Sequence, residues 1–393
     1  MKKIMFIMML VIALTVSGCS GGSQTDGVNT AGTGTSSEPI KIGYTGGFSG
    51  ATATFGTPIF NAVSYAVEEI NSNGGILGRK IELLKEDNEG DPFKGQQIVD
   101  KFASEKAQFF ISGSGSAVAL SEKQKAEMNK MLGIAATAGD PKVTNTNDPY
   151  YFTVIPTSDD LGGSIAYHAA ENMGTKEVIV FARDDAFGKS ISVPFMKIGE
   201  QYGMKTVKEY IYPVNAKDFT AYLSQGIKEF PNALIMITGY APDGGLIAKQ
   251  ARGLGYNKSF FGNVSLINNE YVQIAGDAAN NTIVSTTNYH KEGETGTAAG
   301  RFIEAWKKKF GHGPDDYEFR GYDSVYLLKE AIEKSGQFDP EAVRKALVQV
   351  KDYDGVSGKL TFKSNGSIEK ILYITKINNG ERELVTEVDP AKY

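Results

Sequence analysis

The chain has 393 residues with 41 basic and 46 acidic side chains, a formal charge of −5. That length suits about two ordinary domains, and the acidic balance argues against a sequence-wide grip on nucleic acid. One cysteine excludes an intrachain disulfide framework and any Cys-rich zinc site, and three scattered histidines (His168, His290, His312) argue against a His-based one.

Lys2 and Lys3 precede an apolar run from Ile4 to Val16, followed by Ser17-Gly18-Cys19. A basic start, a short apolar core and small residues at its end describe a secretory signal, and the run is too short for a permanent membrane span. Its end resembles a bacterial lipobox. That resemblance implies cleavage of residues 1–18, lipidation of the Cys19 thiol and attachment outside the cytoplasmic membrane, leaving a charge of −7. After Cys19, the segment 19–37 is mostly Ser, Gly, Thr, Asn and Ala with almost no large apolar side chain. Such a segment cannot offset its ordering entropy and reads as a flexible tether with a reach of roughly 20–25 Å.

Ile40–Tyr44 opens the folded part as a strand. Thr57 is placed to cap the next helix and Pro58 suits its first turn, with Ile59, Ala62, Val63, Ala66, Val67 and Ile70 on one face. Strand 80–85, helix 93–104, strand 109–112, helix 117–131 and strand 134–137 follow, an alternation that specifies βα units on a largely parallel sheet. A second series runs through helix 161–173, strand 177–181, helix 188–202, strand 205–210, helix 219–230, strand 233–238, helix 244–254 and strand 259–261. The two series echo each other: Phe55-Gly56 and Phe187-Gly188 each follow a first strand, and Gly113–Ser116 and Gly239-Tyr240 close matching later ones. Helices at 300–310, 323–335 and 340–350 and strands at 358–362 and 370–377 are too few for a third sheet. They return to complete the two lobes, so the chain crosses about three times, near Ile155, Thr287 and Thr361–Asn365.

Ile40–Gly56, Glu68–Gly78, Asp87–Pro92, Asp185–Gly188, Lys217–Phe219 and Gly321–Asp323 together resemble, in order, the leucine/isoleucine/valine-binding type of extracytoplasmic solute-binding proteins of ABC importers. The resemblance implies an α/β fold of two Rossmann-like lobes joined by three hinge crossovers, the type I periplasmic-binding-protein or Venus-flytrap arrangement. The lobes are expected at 38–157 with 288–362 and at 158–287 with 363–393. It implies capture of a small polar solute and delivery to a permease, with no cofactor, metal or catalysis. Receptor domains share the fold, so a ligand-sensing lipoprotein coupled to a membrane signalling partner is the alternative.

Gly113–Ser116 lies between a strand and a helix, where free backbone N–H groups, aided by serine hydroxyls, hold an anion; read alone it is also an ordinary capped turn. In the resembled family this loop and the one after the next strand hold the ligand carboxylate, which maps onto Ser116, Ala117, Thr137 and Gly139. Phe55, Phe187, Tyr240 and Tyr317 align with aromatic cleft positions, the two phenylalanines in turns at strand ends. Where amino-acid-binding members carry acids for the ligand's ammonium, this chain has Ser158 and Val264. Asp159 and Asp160 are adjacent to the first, while 262–265 holds no acid. An organic acid, an aromatic acid or a neutral amide therefore suits the site as well as an amino acid. Gly162–Ala166 resembles a nucleophile elbow but begins a helical pattern, and Trp306, with Phe302 and Phe310 at i±4, reads as core.

Overall fold

The computed structural model describes residues 38–49, 52–147, 149–290 and 293–393. The apolar run, Cys19 and the segment 20–37 lie outside the described residues.

The first sheet comprises β1 (Ile40–Gly46), β2 (Ile81–Asp87), β3 (Phe109–Gly113), β4 (Leu132–Ala135) and β5 (Tyr151–Thr153), in the order β2-β1-β3-β4-β5. All its pairs are parallel. Every residue of β3 and β4 is buried, as expected for strands covered on both faces. The connecting helices are α1 (Ala53–Ser72), α2 (Pro92–Ser104) and α3 (Ser116–Asn129). Asp91 caps α2 by accepting the Phe93 and Lys94 N–H groups, with Pro92 in the first turn. Helix α1 begins one turn before the expected Thr57 cap. Thr57 and Pro58 lie inside it, because the strand exit at Gly47 packs directly on its first turn: a Cβ on Gly56 would meet the Gly47 carbonyl.

After β5 the chain passes through α4 (Ser158–Tyr167) into the second sheet. Thr157 and Asp160 form a capping box at the start of α4. Beyond Tyr167 the helix widens into a π-turn over His168–Asn172, in which His168 is buried. Then follow β6 (Glu177–Arg183), α5 (Ala186–Gln201), β7 (Lys205–Tyr212), α6 (Thr220–Glu229), β8 (Leu234–Thr238), α7 (Ala241–Gly253), β9 (Phe260–Gly262), α8 (Asn269–Ala275) and β10 (Thr282–Thr286).

The C-terminal third adds α9 (Ala298–Phe310), α10 (Asp316–Ser335), α11 (Pro340–Leu347), β11 (Tyr353–Gly355), β12 (Gly358–Phe362), β13 (Ile368–Glu369), β14 (Leu372–Asn378) and β15 (Glu381–Val388). Helices α10 and α11 share a core with α1 and the first sheet, and Trp306 is fully buried between that lobe's helices. Helix α10 starts seven residues earlier than its apolar pattern suggests, because Asp315 and Glu318 form a capping box ahead of it. Strands β14 and β15 extend the second sheet, whose order is β15-β14-β10-β9-β8-β6-β7. β14 runs antiparallel to both β10 and β15; the remaining pairs are parallel.

Each passage between the lobes is pinned. The Ser158 N–H donates to the Gly139 carbonyl at 2.6 Å across the first. At the second, Thr287 and Asn288 donate to the buried Asp316 carboxylate, which also pairs with the buried Arg320 at 2.7 Å. Leading into the third, which follows β13, the Thr153 N–H donates to the Gly366 carbonyl, and Gly366 has φ +86°, where a Cβ would stand 3.0 Å from Pro149 and from the Tyr151 carbonyl.

Candidate functional site: an aromatic cleft between two sheet ends

The carboxyl ends of the central strands of both sheets face one crevice, the place where open α/β sheets take ligands. Gly115 is the N-cap of α3 and provides no side-chain cap, so the first N–H groups of this helix, at Ser116 and Ala117, have no side-chain acceptor. The Ser116 Oγ accepts the Asp140 N–H at 3.3 Å, tying this loop to the one after β4 while leaving the hydroxyl proton free to donate. Ser114 does not serve the crevice as expected. Its hydroxyl donates at 2.8 Å to Glu122, a fully buried carboxylate that also accepts from Thr45, Ser112 and Tyr151. Burial pushes the Glu122 carboxyl up, against those four donors. A buried acid held by neutral donors therefore braces the loop from behind.

Phe55 and Phe187 lie in the first turns of α1 and α5, not in free turns. The glycine after each lets its helix close on a strand exit: a Cβ on Gly188 would sit 2.3 Å from the Arg183 carbonyl. Tyr240, the N-cap of α7, stacks on Phe187 with centroids 4.8 Å apart and planes at 9°. The same ring lies 5.4 Å from Phe55 of the opposite lobe, and Phe55 is 6.0 Å from Tyr317 in the first turn of α10. Each such pair is worth about 0.5–1.5 kcal/mol beyond its buried area. Tyr240 Oη points at Gly115, where a Cβ would stand only 2.7 Å away. Burial raises the Tyr240 phenol well above its ordinary value and pushes that of Tyr317 up to about 12, so both hydroxyls stay protonated. Four of the sequence-predicted residues thus form one aromatic cluster that bridges the lobes.

Behind Tyr240 lies Arg183, its guanidinium 4.9 Å from the ring centroid. It is paired with Asp185 at 2.7 Å and Asp243 at 3.2 Å, and Tyr212 donates to Asp243. Sequence reasoning missed this cluster, although Arg183-Asp184-Asp185 stands next to a noted motif.

Ser158 and Gly139 meet each other, and the Ser158 Oγ accepts from Ser190 at 2.8 Å. Thr137 is half-buried just past β4, and Ala117 is exposed. Val264 is buried in the apolar core of the second lobe and brings no charge. Asp159 is exposed in the first turn of α4; partial burial, with the Asp160 and Asp140 charges, raises its carboxyl. Two cross-lobe contacts were not foreseen. The Ser265 side chain faces Tyr317 and lowers its phenol, and Thr54, beside Phe55, faces Glu270, six residues beyond Val264, and lowers its carboxyl, in both cases against burial. The Glu270 Oε2 is buried without a partner. The only sequence signal for Glu270 was its place in the first turn after the Asn268 cap. Among the described residues no group of three His, Cys, Asp or Glu has metal-site geometry.

A family model described as periplasmic binding protein matches residues 39–382. The chain belongs to the periplasmic binding protein family. Within it, the chain is similar to proteins named for leucine, isoleucine and valine binding. A Leu/Ile/Val-binding protein, BraC3, of Rhizobium johnstonii is 28% identical over 330 residues, 84% of this chain and 89% of that one. The crystal structure of a leucine-binding protein LivK from Thermotoga maritima superposes with a TM-score of 0.84 at 26% identity, covering 90% of this chain and all of the other. The branched-chain amino acid binding protein LivJ from Streptococcus pneumoniae, in complex with isoleucine, gives 0.83 at 26% over the same shares. These periplasmic binding proteins bind solutes and are not enzymes, and the family is extracytoplasmic. No helix among the described residues is long and apolar enough to cross a membrane.

Proposed function

We propose that the protein captures a small carboxylate-bearing solute between its lobes and delivers it to an ABC permease, held at the membrane by a lipid on Cys19. The observation that carries this reading is the bridging cluster. Phe55, Tyr240 and Phe187 form apolar walls beside the uncapped start of α3, so an apolar body and an anionic head are received together. Ser116, Ala117, Thr137 and Gly139 frame the head group, and Tyr317 closes the far wall. Binding selects the form in which the lobes meet, which is what a permease reads.

The relatives' names point to branched-chain amino acids, whose ammonium needs an acid. Val264 provides none, leaving Asp159 by the first passage and Glu270 at the mouth. The proposed ligand class is accordingly set by the carboxylate and an apolar or aromatic body, with the ammonium optional.

A thermal-shift screen of the purified protein against leucine, isoleucine, aliphatic and aromatic acids and their neutral amides tests this. A ligand at about 100 times its Kd adds about 2.7 kcal/mol. Carboxylates are expected to raise the melting temperature more than their amides do; a response confined to amides, or none from any class, overturns the reading. Mass spectrometry of the membrane fraction, expected to find a lipid on Cys19 that is lost in Cys19→Ser, tests the anchor.

A further inference from the structure

The flank of the first lobe holds a second concave site. α1, α9, α10 and the β11 segment enclose a cavity of about 380 Å³ that shares no lining residue with the aromatic cleft. Its walls include Tyr65 and Glu69, four apart on α1, and Tyr322 and Tyr326, four apart on α10. Because α1 and α10 pack along each other, these two spacings place three phenol rings around one carboxylate. Phe302 and Tyr353 complete the apolar lining.

The polar groups are arranged one-sidedly. Tyr322 and Tyr326 both donate to the Glu69 Oε2, at 2.5 and 2.9 Å, and their rings stack at 4.6 Å and 25°. Among the described residues no hydrogen bond reaches the Glu69 Oε1. The hydroxyls are therefore spent on one oxygen, while the other oxygen remains for an occupant beside the rings that line the cavity. Tyr65 lies 6.0 Å from Tyr322. Burial is the main cause of the raised phenol values here, with Tyr326 pushed up to about 12, so these hydroxyls remain donors.

The remaining charges do not cancel that anion. Arg301, at the rim, is exposed and turns one guanidinium nitrogen back to the Gly296 carbonyl at 3.0 Å. Asp323 is committed to the Val356 and Ser357 N–H groups at 2.8 Å each, and Asp354 adds an exposed acid. The chain already uses this aromatic group to hold a cation of its own: the Lys309 ammonium, paired with Glu68, sits 5.2 Å from the Tyr65 centroid. Several electron-rich ring faces converging beside a carboxylate are the arrangement that recognises alkylated ammonium groups. An anion would be repelled here, and a neutral solute would leave the open oxygen unused.

We propose that this flank cavity is a binding site for a small organic ammonium ion, held by the rings of Tyr65, Tyr322, Tyr326 and Tyr353 and by Glu69. The site is independent of the solute cleft, and its occupant can be bound together with the cleft ligand.

Isothermal titration of the purified protein with choline and with its uncharged carbon isostere, 3,3-dimethylbutan-1-ol, tests this without any mutation. Choline is expected to bind at least about tenfold tighter, since cation–π and ion-pair contacts act only on the charged compound. Glu69→Gln, which keeps the shape and an acceptor for the tyrosines, is expected to weaken choline about tenfold. Phe187→Ala, in the cleft, is expected to leave choline binding unchanged. A second arm adds phosphatidylcholine vesicles: Glu69-dependent co-sedimentation assigns the ammonium to a lipid headgroup, and its absence alongside choline binding assigns it to a free solute. The proposal is overturned if choline and the isostere bind alike, if choline does not bind at millimolar concentrations, or if Phe187→Ala abolishes binding while Glu69→Gln does not.

Discussion

Gly115→Ala probes the meeting of the lobes with a single methyl group. The backbone at this N-cap is extended, φ −66° and ψ 165°, so alanine adopts it without strain. The new Cβ would lie 2.7 Å from Tyr240 Oη, whereas ordinary contact begins at 3.4 Å, so the hydroxyl must retreat by about 0.7 Å. It has little room to do so, with Phe187, Phe55 and the Arg183 guanidinium within 4.8, 5.4 and 4.9 Å of its ring. Overpacking of this kind costs about 1–3 kcal/mol, or about five- to a hundredfold in Kd if it falls on the ligand-holding form. The assay is calorimetric titration with the solute found by thermal shift, in a double-mutant cycle with Tyr240→Phe. Without the hydroxyl the nearest obstacle of those named is Phe55 Cζ at 3.6 Å, an ordinary contact. In that background the same alanine should cost no more than about twofold, which also separates the clash from any loss of capping. The reasoning fails if Gly115→Ala binds with wild-type affinity, or loses as much in the Tyr240→Phe background as it does with the tyrosine in place.

Three further outcomes follow from buried charge. Arg183→Met leaves Asp185 and Asp243 without their cation in a buried setting and should lower stability by about 3 kcal/mol in urea unfolding; adding Asp243→Asn should recover part of that, and a single variant as stable as wild type contradicts the account. Burial, helped by the Arg382 and Lys370 charges, lowers the His290 pKa from 6.5 to about 4. Since the unfolded chain then binds the proton more readily than the folded one, stability should be full above pH 6.5. It should fall by up to about 3 kcal/mol as the pH drops towards 4, and most of that slope should vanish in His290→Asn. Glu270→Ala removes the carboxylate that faces Thr54 across the lobes and should speed solute release about two- to tenfold in stopped-flow displacement, with unfolding stability nearly unchanged; an unaltered release rate would show that this group does not hold the lobes.

Much of the α/β alternation was readable because each buried strand and amphipathic helix carries its own period. Strand β6 is a continuous apolar run, and α1 keeps a clean buried stripe from Ile59 to Ile70. What escaped notice were elements with weak local signals. β10 reads Thr-Ile-Val-Ser-Thr, and β15 is a mostly exposed edge strand that begins Glu-Arg-Glu. The turn joining β14 to β15 did carry one: Asn379-Gly380, both at positive φ, is a standard hairpin pair. The early starts of α1 and α10 depend on strand exits and on a capping box, which act before any apolar stripe begins.

The sequence by itself determined which residue types are present: the glycine–serine loop, the repeated Phe-Gly pairs, and a stretch at 262–265 with no acid. Only the tertiary structure decided what those residues touch. Tyr240 reaches Gly115 and Phe55 across the lobes, while within the first lobe Ser114 turns inward to Glu122 instead of outward to a solute. Local periodicity is set by the geometry of one helix or strand and reports which way a side chain faces its own lobe. Contacts between residues more than a hundred positions apart, on different lobes, depend on how two separately folded sheets come together, and no short-range pattern encodes that.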